Sequence, residues 1–151
     1  MNLQDLLPQL IPQAVAWADF QSKHIMELGA PLSELGLEVA RQVGVKNPAL
    51  VRVKIVDEIP VPEEPLLKQV ALETGLMGPD MKGMTLGYGI FIVQGHDDVR
   101  LISHELRHVY QYETLGGIEN FIPVYLEQIA SFGYHAAPLE QDARSREVSA
   151  V

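Results

Sequence analysis

Apolar residues first recur at three- and four-residue spacings: Ile11, Ala14, Val15, Ala18, Ile25 and Leu28 line one face of a helix that Gly29 ends. Ser33 reads as the N-cap of a second helix to Gln42, with Leu35, Val39 and Val43 as its apolar stripe and Gly44 as its stop. The period then changes to two. Val51-Arg52-Val53-Lys54-Ile55 alternates apolar and basic residues, as a half-buried strand does. Pro60, Pro62 and Pro65 break the chain into a loop, Pro65 to Thr74 predicts a short helix, and Gly75 to Asp80 a turn. Thr85 to Gln94 predicts one or two strands interrupted by Gly87 and Gly89. From Asp97 the pattern is helical again. Asp97 or Asp98 caps a helix to about Leu115, Gly116-Gly117 ends it, and a further helix spans Ile118 to Phe132. Pro138 suits the first turn of a last helix running to about Glu147.

No repeat, linker or low-complexity segment divides this order, which predicts a single α+β domain over residues 1–151. Helices are expected around a small, mainly antiparallel sheet. A chain of 151 residues buries enough surface to fold without disulfide or metal.

Composition narrows the chemistry. The chain has no cysteine, so thiol catalysis, iron–sulfur clusters and cysteine zinc fingers are excluded, and any metal must be held by His and carboxylate. A net charge of −9 argues against nucleic acid or an anionic membrane as partner, since both need clustered Lys and Arg. The N-terminus lacks the basic and apolar regions of a signal peptide, and no stretch is apolar for long enough to span a bilayer, so a cytoplasmic location is expected.

Ser103 to Val109 contains His104-Glu105-Leu106-Arg107-His108. On a helix, histidines four residues apart stand one above the other and can bind a single ion. Glu105 lies about 100° around the axis from His104, placed to reach a water at the ion without ligating the ion itself, as a general base must. Val99, Ile102, Leu106 and Val109 form the core stripe of this helix, yet the histidine side also carries Leu101 and Tyr112. A helix apolar on both sides is packed between two layers with its polar groups in a cleft. A catalytic zinc takes three protein ligands and leaves one position open. Downstream carboxylates supply the candidates: Glu113, Glu119, Glu127, Glu140 and Asp142. Glu113 falls on the core-stripe side, and Glu119 suits the N-terminal charge of the next helix. Spacing leaves Glu127 and Glu140 equally open.

Three segments carry a resemblance: Thr85-Leu86-Gly87-Tyr88-Gly89-Ile90, His104 to Tyr112, and Gly133-Tyr134-His135-Ala136-Ala137-Pro138-Leu139-Glu140-Gln141-Asp142-Ala143. Together they resemble small gluzincin-type metallopeptidases, the minimal relatives of thermolysin called minigluzincins. The resemblance implies a zincin-like fold over residues 81–148, in which an edge strand lies by an active-site helix and a glutamate stands on a following helix. Carried over by position, it implies zinc ligands His104, His108 and Glu140, with Glu105 as base; the Pro-Leu-Glu-x-Asp-Ala run is what favours Glu140 over Glu127. Two positions depart from the pattern. Ala137 stands where the family often has Asn, and Arg144 where larger relatives have the acid that orients a histidine, which leaves Asp142 or Glu127 for that part.

The implied activity is hydrolysis of a peptide or protein substrate, with Glu105 moving the proton and Tyr134 and His135 as candidates to stabilise the oxyanion. The strand from Gly87 to Val93 is expected to take an extended substrate backbone by strand addition. The first eighty residues match no pattern and stand as a candidate lid or pro-segment. A metal-binding domain of the same fold without activity is the alternative reading.

Overall fold

The structure, a computed structural model, describes residues 2–149. Among them are six α-helices and four strands, an α+β arrangement. Helix α1, Leu3–Leu28, starts well before the apolar periodicity because Asn2 caps it: its side chain accepts from the Asp5 N–H at 3.0 Å. Pro8 and Pro12 lie inside it. Strand β1, Ala30–Pro31, precedes α2, Glu34–Gln42, which Ser33 caps through a 3.1 Å bond from Gly36. Here one expectation fails: Leu35 is 59% exposed. Helix α2 buries Gly36, Val39 and Ala40 instead, and Leu35 lies a step of about 100° away from that face.

Strand β2, Arg52–Val56, is followed by helix α3, Pro65–Glu73, and by the hairpin of β3, Gly83–Leu86, and β4, Gly89–Val93. Gly87 sits in the hairpin turn with φ +69°, where a side chain would be strained. The sheet order is β1-β2-β4-β3. Two of its three ladders are antiparallel, as expected, and the third, β2 with β4, is parallel over five residues, which makes the sheet mixed. The cause is the crossover through α3. The chain returns antiparallel only for β3, and the hairpin then turns β4 back alongside β2. Because β4 has a partner on both sides, it has no free edge for a substrate. That position belongs to β3, which corrects the expectation placed on Gly87 to Val93. The alternation of β2 is also incomplete: Ile55 is 46% exposed, while Val56 packs against the core.

Helix α4, Val99–Leu115, is capped by Asp98 and closed by left-handed Gly116. Helices α5, Ile118–Phe132, and α6, Pro138–Ser145, follow. Two apolar clusters meet on α4. One holds Val39, Val43, Val51, Ile90, Ile92, Leu106 and Val109, with Val99 and Ile102 against it. The other joins α1 to α5 and takes in Leu10, Ile25, Phe91, Tyr112, Phe121 and Ile129. The helix that carries both histidines is therefore packed from two sides, and the elements before residue 80 contribute to both clusters.

Candidate metal centre

Asp98 starts α4 and the Gly116 turn ends it, and the burial of Leu106 and Val109 in the sheet-side cluster sets the rotation that puts His104, Glu105 and His108 toward α6 and β3. Chain reversal at Gly133 and the Pro138 start of α6 then bring Glu140 across α4. One oxygen of Glu140 is 3.2 Å from Nε2 of His104 and the other 3.0 Å from Nε2 of His108. Ligand atoms of these three residues all lie within 4.8 Å of one another, so the group could hold a metal ion. Glu127 is exposed on α5 and lies outside this group. Glu113 is turned away, accepting from the backbone of Lys46 and Asn47 and from the Tyr88 hydroxyl.

The outer nitrogens of both imidazoles are held as well. His104 Nδ1 lies 2.8 Å from Glu147, and His108 Nδ1 lies 2.8 Å from Oε1 of Gln111. Neither partner appeared in the sequence reading. Gln111 had left a signal, standing three residues after His108 on the same helical face. Its orientation is determined, because its amide nitrogen donates to the Leu139 carbonyl and to Asp142, both at 2.9 Å, and both groups only accept. Asp142 is in turn fixed by Arg107 through bonds of 2.8 and 3.2 Å. Asp142 therefore supports His108 through Gln111, while Glu127 supports neither histidine.

Glu147 gave no such signal. It lies beyond α6, where the Val148 N–H donates to Ser103 at 2.8 Å and Arg100 takes the other Glu147 oxygen at 2.9 Å. Two further contributors also went unread. Tyr125 donates to Glu140 at 2.6 Å, and Thr85 approaches the Glu105 carboxylate at 2.8 Å from β3.

The electrostatics follow from this packing. Burial alone would push His104 down, but its bond to Glu140 and the charges of Glu105 and Glu140 override that and raise it to about 9. His108 is raised in the same way against its burial, chiefly by Glu140. Burial also opposes ionisation of Glu140, yet the bonds from His104 and His108 hold its carboxyl well below the usual range. Burial pushes Glu105 up, with the His108 and His104 charges pulling the other way.

Two cavities meet at these residues. A narrow one of about 100 Å³ runs among apolar side chains of α1, α3, β3 and α5, including Trp17, Leu67, Met84 and Leu126. A wider cleft of about 790 Å³ opens between the segment 75–83 and α6. His104, Glu105, Tyr134 and Glu140 line both. Tyr134 is half-buried, and burial, with the charge of Glu140, raises its hydroxyl above its ordinary value. His135 is exposed and lines neither cavity; its carbonyl accepts from Arg144.

No family model, curated protein or solved structure matches this chain. No helix among the described residues is long and apolar enough to cross a membrane.

Proposed function

We propose that the chain is a zinc-dependent metallopeptidase whose metal is held by His104, His108 and Glu140, with Glu105 as general base. One observation carries the reading. With Nδ1 of both imidazoles committed to the acceptors Glu147 and Gln111, both Nε2 atoms turn inward onto one buried carboxylate. Neutral imidazoles in that tautomer would point lone pairs at carboxylate oxygens, which is repulsive unless a cation lies between them. A metal ion satisfies all three groups at once, and two nitrogens with one carboxylate suit zinc.

Bound zinc would supply Lewis acidity toward a carbonyl and bring a water's pKa to about 7. Glu105 is the nearby group that can take a proton, and its raised pKa brings it toward the range a base needs. Thr85 holds that carboxylate from β3, and Gly83 leaves room for it: a Cβ there would stand 3.1 Å from the Glu105 side chain. Tyr134 stays protonated over the working range and can donate to a developing oxyanion. No strand pairs the outer side of β3, and its Gly83 end, beside Glu105, is where an extended peptide backbone would add, since the Thr85 carbonyl already accepts from Tyr112.

The test is Glu105→Gln assayed on an unfolded protein such as casein. Zinc and fold should be kept while cleavage falls by roughly 10²–10⁴-fold, the usual share of a positioned base. Full activity, or loss of the zinc, would overturn the assignment. A second reading is favoured by the burial of Glu105, 5% exposed in a cavity it shares with Met77 and Met81. It is a metal-binding domain without turnover, which would hold zinc and cleave nothing.

A further inference from the structure

Arg144 stands one helical turn after Glu140 on α6, so its side chain leaves the helix on the same face and lines the wider cleft beside Tyr134, Glu140 and Glu105. Its guanidinium donates to the carbonyl of His135, which anchors the side chain. Five N–H donors belong to a guanidinium, and most of those of Arg144 are left for the cleft. The carboxylates near it on the same wall are engaged elsewhere. Glu140 is taken by His104, His108 and Tyr125, and Glu147 by His104 and Arg100. Among the described residues, no ion pair involves Arg144.

Lys82, from the opposite wall of the cleft, reaches only the Pro79 carbonyl at 3.5 Å. Besides Glu105, Glu140 and Glu147, two further acids line the cleft: Asp98 is spent capping α4, and Asp80 lies on the 75–83 segment. Five carboxylates and three cations line the cleft, and of those cations Arg100 is paired with Glu147 while Lys82 and Arg144 have no carboxylate partner among the described residues. What Arg144 lacks is an anion of its own, and a planar guanidinium fits a carboxylate in particular.

We propose that Arg144 forms a carboxylate subsite, so that the substrates of the cleft carry a carboxylate next to the bond presented to Glu105. The proposal rests on the peptidase reading for the bond cleaved, but the binding it asserts is independent of turnover. The carboxylate can be the free C-terminus of a peptide or an acidic side chain, which share this chemistry. A free C-terminus would make the activity one that trims chain ends, and an acidic side chain one that cuts internally.

The experiment is calorimetric titration in a Glu105→Gln background with three short peptides: acetyl-Leu-Ala, its C-terminal amide, and acetyl-Leu-Asp amide. Arg144→Gln and Arg144→Lys are compared with the parent, and zinc content is measured separately on each protein. At least one carboxylate peptide should bind about tenfold or more tighter than the uncharged amide, as a charge-assisted bond allows. Arg144→Gln should abolish that preference, and Arg144→Lys should keep part of it. Preference for acetyl-Leu-Ala alone identifies the chain end as the source, and preference for acetyl-Leu-Asp amide alone the side chain. Equal affinities, no binding of any of the three, or a preference that survives Arg144→Gln would overturn the subsite. Zinc content unchanged by Arg144→Gln keeps a failure here distinct from a failure of the metal centre.

Discussion

Glu147 bonds Nδ1 of His104 at 2.8 Å although it lies beyond the last helix, forty-three residues along the chain. The contact locks the tautomer of His104 and turns its other nitrogen onto Glu140. Gln111 does the same for His108, from within the motif helix itself. Partners of this kind set the orientation and basicity of a metal-binding imidazole and are worth as much attention as the ligands.

Removing either partner should therefore weaken metal binding without removing a ligand. Glu147→Ala and Gln111→Ala are each expected to lower zinc affinity by roughly 10–100-fold. Competition against a chromogenic chelator measures it. Unchanged affinity in both variants would show that the tautomer lock is not used.

The two candidate third ligands separate cleanly. Glu140→Ala should reduce zinc retention severely, since Glu140 is the carboxylate between both imidazoles. Glu127→Ala should leave retention and melting temperature unchanged, because Glu127 is exposed on the outer side of α5. Metal analysis after mild chelation decides it, and the reverse order would move the site to α5.

Most of the helices could be read from the sequence, because their signals are local: Ser33 and Asp98 as caps, Gly116 as a stop and Pro138 as a start act within one turn of the chain. The histidine pair was legible for the same reason. Spacing alone left the third ligand open, since Glu127 and Glu140 both sit on helices downstream. The resemblance carried by the Pro138 to Ala143 run favoured Glu140, and the reversal at Gly133 is what turns it toward α4. Glu147 was further out of reach: the Val148–Ser103 bond that places it joins two segments with no shared sequence pattern. The parallel pairing of β2 with β4 was hidden likewise, because strand periodicity says which residues are buried and nothing about which strand is the neighbour.

pH should act with a definite sign. His104 is raised to about 9 in the metal-free protein by Glu140 and Glu105, against the opposing effect of burial. Its contribution to metal-free stability is full below the unfolded histidine value near 6.5 and is lost as pH rises through about 9. Zinc needs the deprotonated nitrogen, so its affinity runs the other way and falls on acidification. The difference in melting temperature between zinc-loaded and metal-free protein should widen from pH 6 to pH 9. Calorimetry in buffers of different ionisation enthalpy should show at least about one proton released per zinc bound near neutrality. A constant temperature gap with no proton release would contradict the arrangement.

Gly83 offers a test of Glu105 that leaves the metal ligands alone. A Cβ at this position would lie 3.1 Å from both Cγ and one carboxylate oxygen of Glu105, so Gly83→Ala should displace that side chain by a few tenths of an ångström and strain its Thr85 bond. Cleavage should fall with zinc content unchanged. Activity equal to the parent would mean that the position of Glu105 is immaterial.

Removing the residues before Leu50 should unfold the chain rather than unmask it. Leu10 and Ile25 of α1 are essentially inaccessible within the cluster that also holds Tyr112 and Phe121, and losing such side chains is worth roughly 2–5 kcal/mol each. Circular dichroism of the truncated protein checks this. A cooperative melt with native helicity would restore the view of that segment as a detachable cover.

The central claim is that His104, His108 and Glu140 hold one zinc ion between them, and metal analysis of the purified protein joined to X-ray absorption at the zinc edge tests it most directly. The account predicts about one zinc per chain, a first shell of two imidazole nitrogens and oxygen at distances near 2.0–2.2 Å, and loss of the metal in His108→Ala. A chain that takes up no zinc when supplied with it, or a His108→Ala variant that keeps a full equivalent with the same spectrum, would contradict it.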